Sequence, residues 1–360
     1  MAGEAAKRAK QYFNGVKFPR PVFPFFLAAL ALAWVGCVQD SGAERDPAVM
    51  PLLEDELGPT PQKPVYPAGW PEVAWPADNP YSAEKAFLGR RLFFDPRFSS
   101  DGVVSCAWCH DPRAAFTNLH GGLGTGAHHQ PVLRGPPTLL NVAFATRLMT
   151  DGSVGSLEEQ ALFPLLARHE MDMTIPAVLE IVRGDTLYAR LFRQAYGPKE
   201  ITFQDMARAL ATYQRTLASH STPWDRAVFG DSAGLSLEAR AGLALFNGKA
   251  GCAACHTPPL FTDGDFHDIG LDAAPRDSGR MKVTGLLADL GRFKTPTLRN
   301  VGATAPYMHD GRFRTLEEVI RHYNAGGAPG ATPDSGVRPL GLNDRETQAL
   351  AEFLRALQDP

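Results

Sequence analysis

The chain has 360 residues, which is long enough for two domains of ordinary size. Its formal net charge is −3, so the composition excludes the basic surface that binding to nucleic acid requires. The 30 prolines and 34 glycines argue against a simple helix bundle and predict long irregular connections between short elements.

Residues 1–37 are typical of an export leader. Basic residues between Lys7 and Arg20 precede an uncharged apolar run at 21–36, shorter than the ~20 residues that span a bilayer. Cys37 follows directly, as the lipidated cysteine does in bacterial lipoproteins. We expect Cys37 to carry a lipid that attaches the protein to the membrane, with plain cleavage or an uncleaved anchor as the alternatives.

Four further cysteines form two copies of a CxxCH motif, CAWCH ending at His110 and CAACH ending at His256. A thioredoxin-like pair needs no following histidine, zinc needs no histidine beside each pair, and a disulfide within CxxC is strained. Covalent haem uses every one of these residues, because the thiols bond the vinyl groups and the histidine ligates iron. We therefore predict two c-type haems, attached to Cys106, Cys109, Cys252 and Cys255, with His110 and His256 as proximal ligands.

The remaining patterns are helical, and no stretch alternates apolar and polar residues as a strand would. Capping residues begin several short helices, for example at Ser82, Asp185 and Thr315. The sequence predicts a mainly α fold in two tandem units, each built around one haem. The predicted organisation is a leader at 1–37, a proline-rich tether or surface extension at 38–78, an N-terminal haem domain at 79–228 and a C-terminal haem domain at 229–360.

From about Asn79 onward the chain resembles the bacterial di-haem cytochrome c peroxidase family, which includes MauG. The resemblance lies in LGRRLFFDPRFSSDGVVSCAWCHD, FKTPTLRNV and APYMHDGRF. It implies two cytochrome c-like domains with a calcium ion between them. It also implies that hydrogen peroxide reacts at the N-terminal haem, while the C-terminal haem receives electrons from a small redox protein such as a cytochrome c. A periplasmic location is expected, and relatives are often homodimers.

The segment QALFPLLARHE has Gln160, Pro164 and Glu170 at the offsets of the family's distal pocket. Pro164 has no N–H to donate to the carbonyl of Gln160, so the helix is predicted to end or kink there. Glu170 can then fold back towards the haem, where apolar surroundings would raise the pKa of its carboxyl and suit it to move a proton. A solvated helix end is the alternative.

The loop GGLGTGAHHQ follows the first CxxCH motif. Other members of the family often have a histidine here that caps the N-terminal iron, and Thr125 stands in its place. His128 and His129 lie close in sequence, and exposed loop histidines are the simplest interpretation of both. We therefore expect the N-terminal iron of the resting enzyme to be five-coordinate or to hold only water.

Two residues compete for the far side of the C-terminal iron. Met308, in PYMHDG, would give the high potential of ordinary cytochromes c. Tyr323, in VIRHYNAGG, stands where peroxidases have methionine and MauG has tyrosine, and an anionic oxygen ligand would lower the potential. We expect Tyr323 to be the ligand. The alternatives are packing on the haem edge for Met308 and an ordinary core position for Tyr323.

Two further features depart from the family. Thr150 replaces the tryptophan that relatives place between the haems, and threonine cannot be oxidised at accessible potentials, so a hopping relay through it is closed. This counts against fast transfer between the haems and hence against a standard cytochrome c peroxidase cycle. Thr304 and Pro306 match positions whose backbone carbonyls bind calcium in relatives, whereas Gly135 replaces the expected asparagine. We expect calcium with one ligand from backbone or water; a simple turn between domains is the alternative.

Three functions follow from these features. The leading hypothesis is an exported di-haem peroxidase that reduces hydrogen peroxide with electrons from a cytochrome or similar donor. The second is a MauG-like oxidase that uses stored oxidising equivalents on a protein or organic substrate; Tyr323 favours it and Thr150 disfavours it. The third is a di-haem electron carrier, which would have no use for Glu170.

Overall fold

The computed structural model describes residues 59–119, 123–231 and 233–360. The predicted leader and its lipidation site Cys37 lie outside these ranges. Within the described ranges, no helix is long and apolar enough to cross a membrane.

The N-terminal unit consists of short helices joined by long irregular segments, as the proline and glycine content predicts. Its helices are α1 (Ala83–Phe94), α2 (Cys106–Cys109), α3 (Leu157–Gln160), α4 (Phe163–Leu166), α5 (Ile175–Gly184), α6 (Thr186–Tyr196) and α7 (Phe203–Gln214). Single 3-10 turns lie at Pro96–Phe98, Pro112–Ala114, Ala127–His129 and Val142–Phe144.

The C-terminal unit has the same character and adds one short hairpin. Helix α8 (Pro223–Val228) lies between the two units, at the end of the predicted N-terminal domain, and contacts Arg299 of the C-terminal unit through Asp225. The helices of the C-terminal unit are α9 (Leu237–Asn247), α10 (Met281–Thr284), α11 (Leu316–Ala325) and α12 (Asp344–Arg355), with 3-10 turns at Cys252–Ala254, Leu287–Asp289 and Val301–Ala303. Strands β1 (Phe266–His267) and β2 (Phe293–Lys294) pair antiparallel, with Phe266 opposite Lys294. The prediction of a mainly α fold is confirmed.

The predicted helix ends are set by capping side chains. The Ser82 hydroxyl accepts a hydrogen bond from the N–H of Lys85 at the start of α1. Helix α6 begins after Asp185 and ends before Gly197, as expected. Thr315 begins α11 with a complete capping box, so hydrogen bonds within the first turn satisfy two backbone N–H groups that the helix itself leaves unpaired.

In each unit, the helix before the CxxCH motif crosses the last helix of that unit at a glycine. A Cβ atom on Gly89 of α1 would lie 1.9 Å from the carbonyl oxygen of Ala209 in α7. A Cβ atom on Gly242 of α9 would lie 2.0 Å from the carbonyl oxygen of Ala349 in α12. No larger residue permits this close crossing. The paired helices therefore hold the two CxxCH motifs in the same way.

The two units also share one loop design behind the CxxCH histidine. A PTLxN segment in each unit ends in an asparagine with positive φ, 59° at Asn141 and 61° at Asn300. The threonine of the segment donates a hydrogen bond of 2.6 Å to a carbonyl of the loop behind the histidine. In the N-terminal unit Thr138 donates to Ala115, and in the C-terminal unit Thr297 donates to Leu260. The chain thus contains an internal structural repeat, with one copy in each unit.

Residues 59–78, the last part of the proline-rich segment, lie against the body of the protein. The Tyr66 hydroxyl donates to the side-chain oxygen of Asn141 at 3.3 Å. The ring of Trp70 covers the guanidinium of Arg299, with 4.3 Å between the ring centroid and Cζ. This part of the chain is a packed surface extension.

Beneath Trp70 lies a buried ion pair. Arg299 is 0% exposed and forms two hydrogen bonds of 2.8 Å with the carboxylate of Asp225. The Nε of Arg299 also donates to the carbonyl of Pro259 at 2.7 Å. Because Pro259 lies between His256 and Phe261 in the chain, the pair fixes the loop that follows the second CxxCH motif.

Candidate haem and peroxide site

One continuous cavity of about 2170 Å³ extends through both units. Both CxxCH motifs contribute to its wall, through Cys109 and His110 in one unit and Cys252, Cys255 and His256 in the other. Ordinary cofactor sites enclose ~300–1,000 Å³. The cavity therefore has room for two large prosthetic groups, one for each motif.

His110 is oriented by the loop that follows it. Its Nδ1 lies 3.0 Å from the carbonyl oxygen of Phe116, where the chain reverses with a φ of 58°. A carbonyl only accepts, so Nδ1 carries the proton and Nε2 keeps a free lone pair. Burial lowers the pKa of His110, which keeps the ring neutral. A neutral imidazole with a fixed second-nitrogen partner is the form that ligates a metal.

His256 repeats this arrangement in the C-terminal unit. Its Nδ1 lies 3.0 Å from the carbonyl oxygen of Phe261, which has a φ of 54°. Burial also lowers the pKa of His256. Both histidines thus have one nitrogen fixed by a backbone carbonyl and one available to iron.

The four thiols fit covalent attachment to haem better than a disulfide or a redox-active thiol pair. None forms a disulfide. Burial raises the pKa of Cys106 and Cys109 to about 12 and that of Cys252 to about 11, so these are protonated apolar-pocket thiols rather than redox thiolates.

The structure also argues against zinc. In the described part of the chain, the only converging group of possible metal ligands is Cys255 with Asp263 and His267. Both ring nitrogens of His267 already face carboxylates, those of Asp263 at 2.9 Å and Asp334 at 3.3 Å. Among the residues that the structure describes, no cluster of possible zinc ligands combines a CxxC pair with the histidine that follows it. The residues present therefore fit haem.

Glu170, Gln160 and Pro164 line the same cavity. Helix α3 ends at Gln160 and Pro164 lies in the first turn of α4, so the helix breaks where the sequence predicts. Burial raises the pKa of the Glu170 carboxyl to about 7. Since Glu170 lines the cavity, the 30% of its side chain that is exposed opens into that space. The Nε2 of Gln160 lies 3.9 Å from the sulfur of Met149.

The loop after the first motif fixes the backbone of Glu170. The N–H of Ala127 donates to the carbonyl of Glu170 at 2.6 Å. Gly126 allows this approach, because a Cβ there would lie 2.5 Å from that same oxygen. The indole N–H of Trp108 donates to the carbonyl of Thr125 at 3.0 Å. The CAWCH tryptophan, the loop and the pocket carboxylate are therefore linked.

His128 and His129 are both exposed, and neither lines the cavity. The Nε2 of His128 lies 3.0 Å from the Ser100 hydroxyl, and its backbone N–H donates to Asp101 at 2.8 Å. These contacts hold His128 at the surface, which supports the interpretation of both as loop histidines.

Tyr323 and Met308 both line the cavity. Burial raises the pKa of Tyr323, and the nearby Cys252 and Cys255 raise it further, so its ring is close to the second motif. Counted from Asn141 and Asn300, Tyr323 occupies the position that Pro164 occupies in the N-terminal unit.

Thr150 lies at the contact between the two units. Its carbonyl accepts a hydrogen bond of 2.9 Å from the N–H of Lys294. Its hydroxyl accepts one of 3.1 Å from Arg134, which also pairs with Asp151 at 2.7 Å and with Asp277 at 2.8 Å. Beside this group, the rings of Phe293 and His309 stack with their centroids 3.9 Å apart. No tryptophan stands at this contact within the described residues.

The expected calcium ligands Thr304 and Pro306 also line the cavity, as does Gly135. The N–H of Gly135 donates to the carbonyl of His309 at 2.8 Å, a backbone contact between this loop and the C-terminal unit. Carbonyl oxygens are suitable calcium ligands, and the missing asparagine leaves one position for another oxygen.

Sequence reasoning missed the carbonyls of Phe116 and Phe261, the buried Arg299 and the cavity position of Lys294. Comparing PPTLLN with TPTLRN in the two halves of the chain would have revealed the repeat. Carbonyl orientation depends on φ at single residues and leaves no mark in the sequence.

Comparison with known proteins agrees with this geometry. The family described as Di-haem cytochrome c peroxidase matches residues 83–233, and the family described as Cytochrome c matches residues 239–358. Methylamine utilization protein MauG of Methylorubrum extorquens is 43% identical over 79% of this chain and 81% of that protein. Cytochrome-c peroxidase IdrP1 of Denitromonas iodatirespirans is 37% identical over 91% of this chain and 92% of that protein.

Among solved structures, a MauG-like protein associated with microbial copper homeostasis superposes with a TM-score of 0.74 at 30% identity, over 82% of this chain and 96% of that one. The relatives are named as oxidoreductases, so the electron-carrier hypothesis is set aside. The di-haem family and the cytochrome c match together imply two c-type haems. This chain belongs to the di-haem cytochrome c peroxidase and MauG family.

Proposed function

We propose that this protein is an exported peroxidase that reduces hydrogen peroxide at the haem on His110. Electrons arrive from a cytochrome c or similar donor through the haem on His256. The observation that carries the proposal is Glu170, a buried carboxyl with a pKa raised to about 7 in the wall of the cavity that His110 also lines. The thioether bonds are assigned to Cys106, Cys109, Cys252 and Cys255.

A haem held by Cys106, Cys109 and His110 would supply the redox chemistry that peroxide reduction needs. Glu170, as the carboxylate, accepts the proton of the near oxygen and returns it to the far oxygen, which leaves as water. The amide of Gln160 orients the peroxide. Pro164 contributes no N–H, so the helix break leaves the space between Gln160 and Glu170 open.

At the second haem we assign Tyr323 as the far-side ligand. Its ring lies near Cys252 and Cys255 in the cavity wall, and it stands as far after Asn300 in sequence as Pro164 stands after Asn141. Met308 remains the competitor because it lines the same cavity. Tyr323→Phe should raise the potential of this haem, whereas a methionine–iron charge-transfer band that disappears in Met308→Ala would reverse the assignment.

The second candidate is a MauG-like oxidase of a protein or organic substrate. Tyr323 favours it, because an anionic oxygen ligand stabilises oxidised iron, and so does the 43% identity to MauG. Thr150 disfavours it, because rapid sharing of oxidising equivalents between the haems would lack the tryptophan of relatives. The missing tryptophan also counts against rapid electron transfer in a peroxidase. We keep peroxide reduction as the proposed reaction because a relative that aligns with 91% of this chain is named a cytochrome-c peroxidase.

Turnover with reduced cytochrome c separates the two candidates. A peroxidase oxidises the cytochrome in proportion to the peroxide supplied. An oxidase leaves reduced cytochrome c unchanged and consumes peroxide only with an organic or protein substrate. Equal amounts of wild type and Glu170→Gln should be compared, because a slow background reaction of peroxide with haem persists in both.

We also propose that the mature protein resides in the periplasm or cell envelope, with a lipid on Cys37. Mass spectrometry of the mature N-terminus tests this, since an unmodified Cys37 would contradict it. Calcium bound through the carbonyls of Thr304 and Pro306 is proposed as well. Metal analysis after dialysis, repeated after treatment with a chelator, tests for one bound ion.

A further inference from the structure

Lys294 is a half-buried cation that the proposed reaction does not use. It lies in β2 of the C-terminal unit, yet its backbone and side chain both contact the N-terminal unit. Its N–H donates to the carbonyl of Thr150 at 2.9 Å, and its Nζ donates to the carbonyl of Arg147 at 2.8 Å. Lys294 therefore bridges the two units in the wall of the shared cavity.

Two other cations of the cavity wall have acidic partners. Arg134 pairs with Asp151 and Asp277, and Arg292 pairs with Asp334 at 2.6 Å. Lys294 has none: among the described residues, no carboxylate oxygen lies within ion-pair distance of its Nζ. Burial alone lowers the pKa of Lys294, to about 8, with no acidic neighbour to offset it.

An ammonium removed from water without a counter-charge is costly, so buried cations are normally paired. The one backbone carbonyl at Nζ supplies a dipole and leaves two of the three ammonium donors free. A carboxylate bound in the cavity would supply the negative charge that the protein does not place there. Each haem carries two propionates, and the cavity has room for two haems.

We propose that Lys294 binds a haem propionate at the junction of the two units. This inference rests on the proposed haem attachment and deepens it. The ammonium neutralises one propionate, so that a haem of one unit is also held through contacts with the other. The ligand of Lys294 is a carboxylate. The haem that supplies it is the one whose reduction potential changes when Lys294 is substituted.

The test compares Lys294→Gln, which removes the charge, with Lys294→Arg, which keeps it, in protein matured with haem. Lys282→Gln is the matched control, because Lys282 is another lysine of the same unit in the cavity wall. Haem content is counted first, and the potential of each haem is then measured by spectroelectrochemistry at several pH values.

Lys294→Gln should lower the potential of one haem, since an unpaired propionate favours the more positive iron, and should make that potential depend on pH. Lys294→Arg and Lys282→Gln should leave both potentials near the wild-type values. Spin states should not change, because a propionate contact does not touch iron. A Lys294→Gln chain that loses a haem, beside a Lys294→Arg chain that keeps both, also supports the assignment.

Unchanged potentials in a Lys294→Gln protein with two haems would overturn the inference and leave the proposed function intact. Equal shifts or equal haem loss in Lys294→Gln and Lys294→Arg would overturn it too, because charge would then not matter. Loss of a low-spin signal in Lys294→Gln would make Lys294 an iron ligand instead. A wild-type chain without covalent haem would overturn both this inference and the proposed function.

Discussion

The backbone N–H of Ala127 donates a hydrogen bond of 2.6 Å to the carbonyl of Glu170. The loop after the first CxxCH motif and the pocket carboxylate therefore move together. Gly126 makes the contact possible, because a Cβ there would lie 2.2 Å from the carbonyl of His169 and 2.5 Å from that of Glu170.

Gly126→Ala should displace Glu170 and reduce peroxide turnover by at least ~10-fold, since small misplacements of a catalytic group are costly. Both haems should remain attached, because the substitution does not touch the CxxCH motifs. The matched control is Gly155→Ala, where a new Cβ meets nothing within 4 Å. Equal rates in the two variants would show that the loop does not position Glu170.

Glu170→Gln should reduce the rate of peroxide turnover by about 10²–10⁴-fold, the usual contribution of a general acid–base group. Glu159→Gln is the control, because Glu159 also lines the cavity but is exposed at the surface. Stopped-flow mixing of the oxidised protein with peroxide measures the step directly. If Glu170→Gln reacted as fast as Glu159→Gln, the carboxylate would not be the proton carrier.

The rate of peroxide reaction should rise with pH through about 7. The pKa of Glu170 is raised to about 7 by burial, and only the deprotonated carboxylate can accept the peroxide proton. Below that pH the rate should fall about tenfold per pH unit. This limb of the profile should be missing in Glu170→Gln, and a limb that persists there would belong to another group.

Arg299→Leu should reduce the free energy of unfolding by about 3–5 kcal/mol, because it leaves Asp225 charged, buried and unpaired. The potential of the second haem should shift as well, since Arg299 holds the loop behind His256 through Pro259. Denaturant unfolding and spectroelectrochemistry measure the two effects.

Arg226→Leu is the control for that substitution. Its side chain is 47% exposed and lies 3.9 Å from an exposed Asp231, so its loss should cost less than ~1 kcal/mol. Similar destabilisation in both variants would mean that the burial of the Arg299–Asp225 ion pair does not determine the loss of stability.

The haem motifs and the helix ends could be predicted because each depends on a few residues that are adjacent in sequence. CxxCH contains its own attachment and ligand chemistry, and Thr315 with Glu318 caps α11 without help from elsewhere. Family membership and the mainly α fold followed from such local signals and are confirmed.

The remaining features depend on residues far apart in the chain. Arg299 and Asp225 meet across 74 positions, and an arginine in TLRN carries no sign that it will be fully buried. Lys294 looks like a surface lysine in FKTPT until the fold shows it in the cavity wall without an acidic partner. The change from tryptophan to Thr150 was readable, but its neighbours Arg134, Phe293 and His309 were not.

Haem quantification and EPR spectroscopy on one sample of oxidised protein test the central claim, that two thioether-bound haems differ in access to peroxide. We expect two covalent haems per chain, with one high-spin signal that changes on addition of peroxide and one low-spin signal from the haem on His256. One haem or none per chain, or a purely low-spin spectrum that peroxide leaves unchanged, would contradict it.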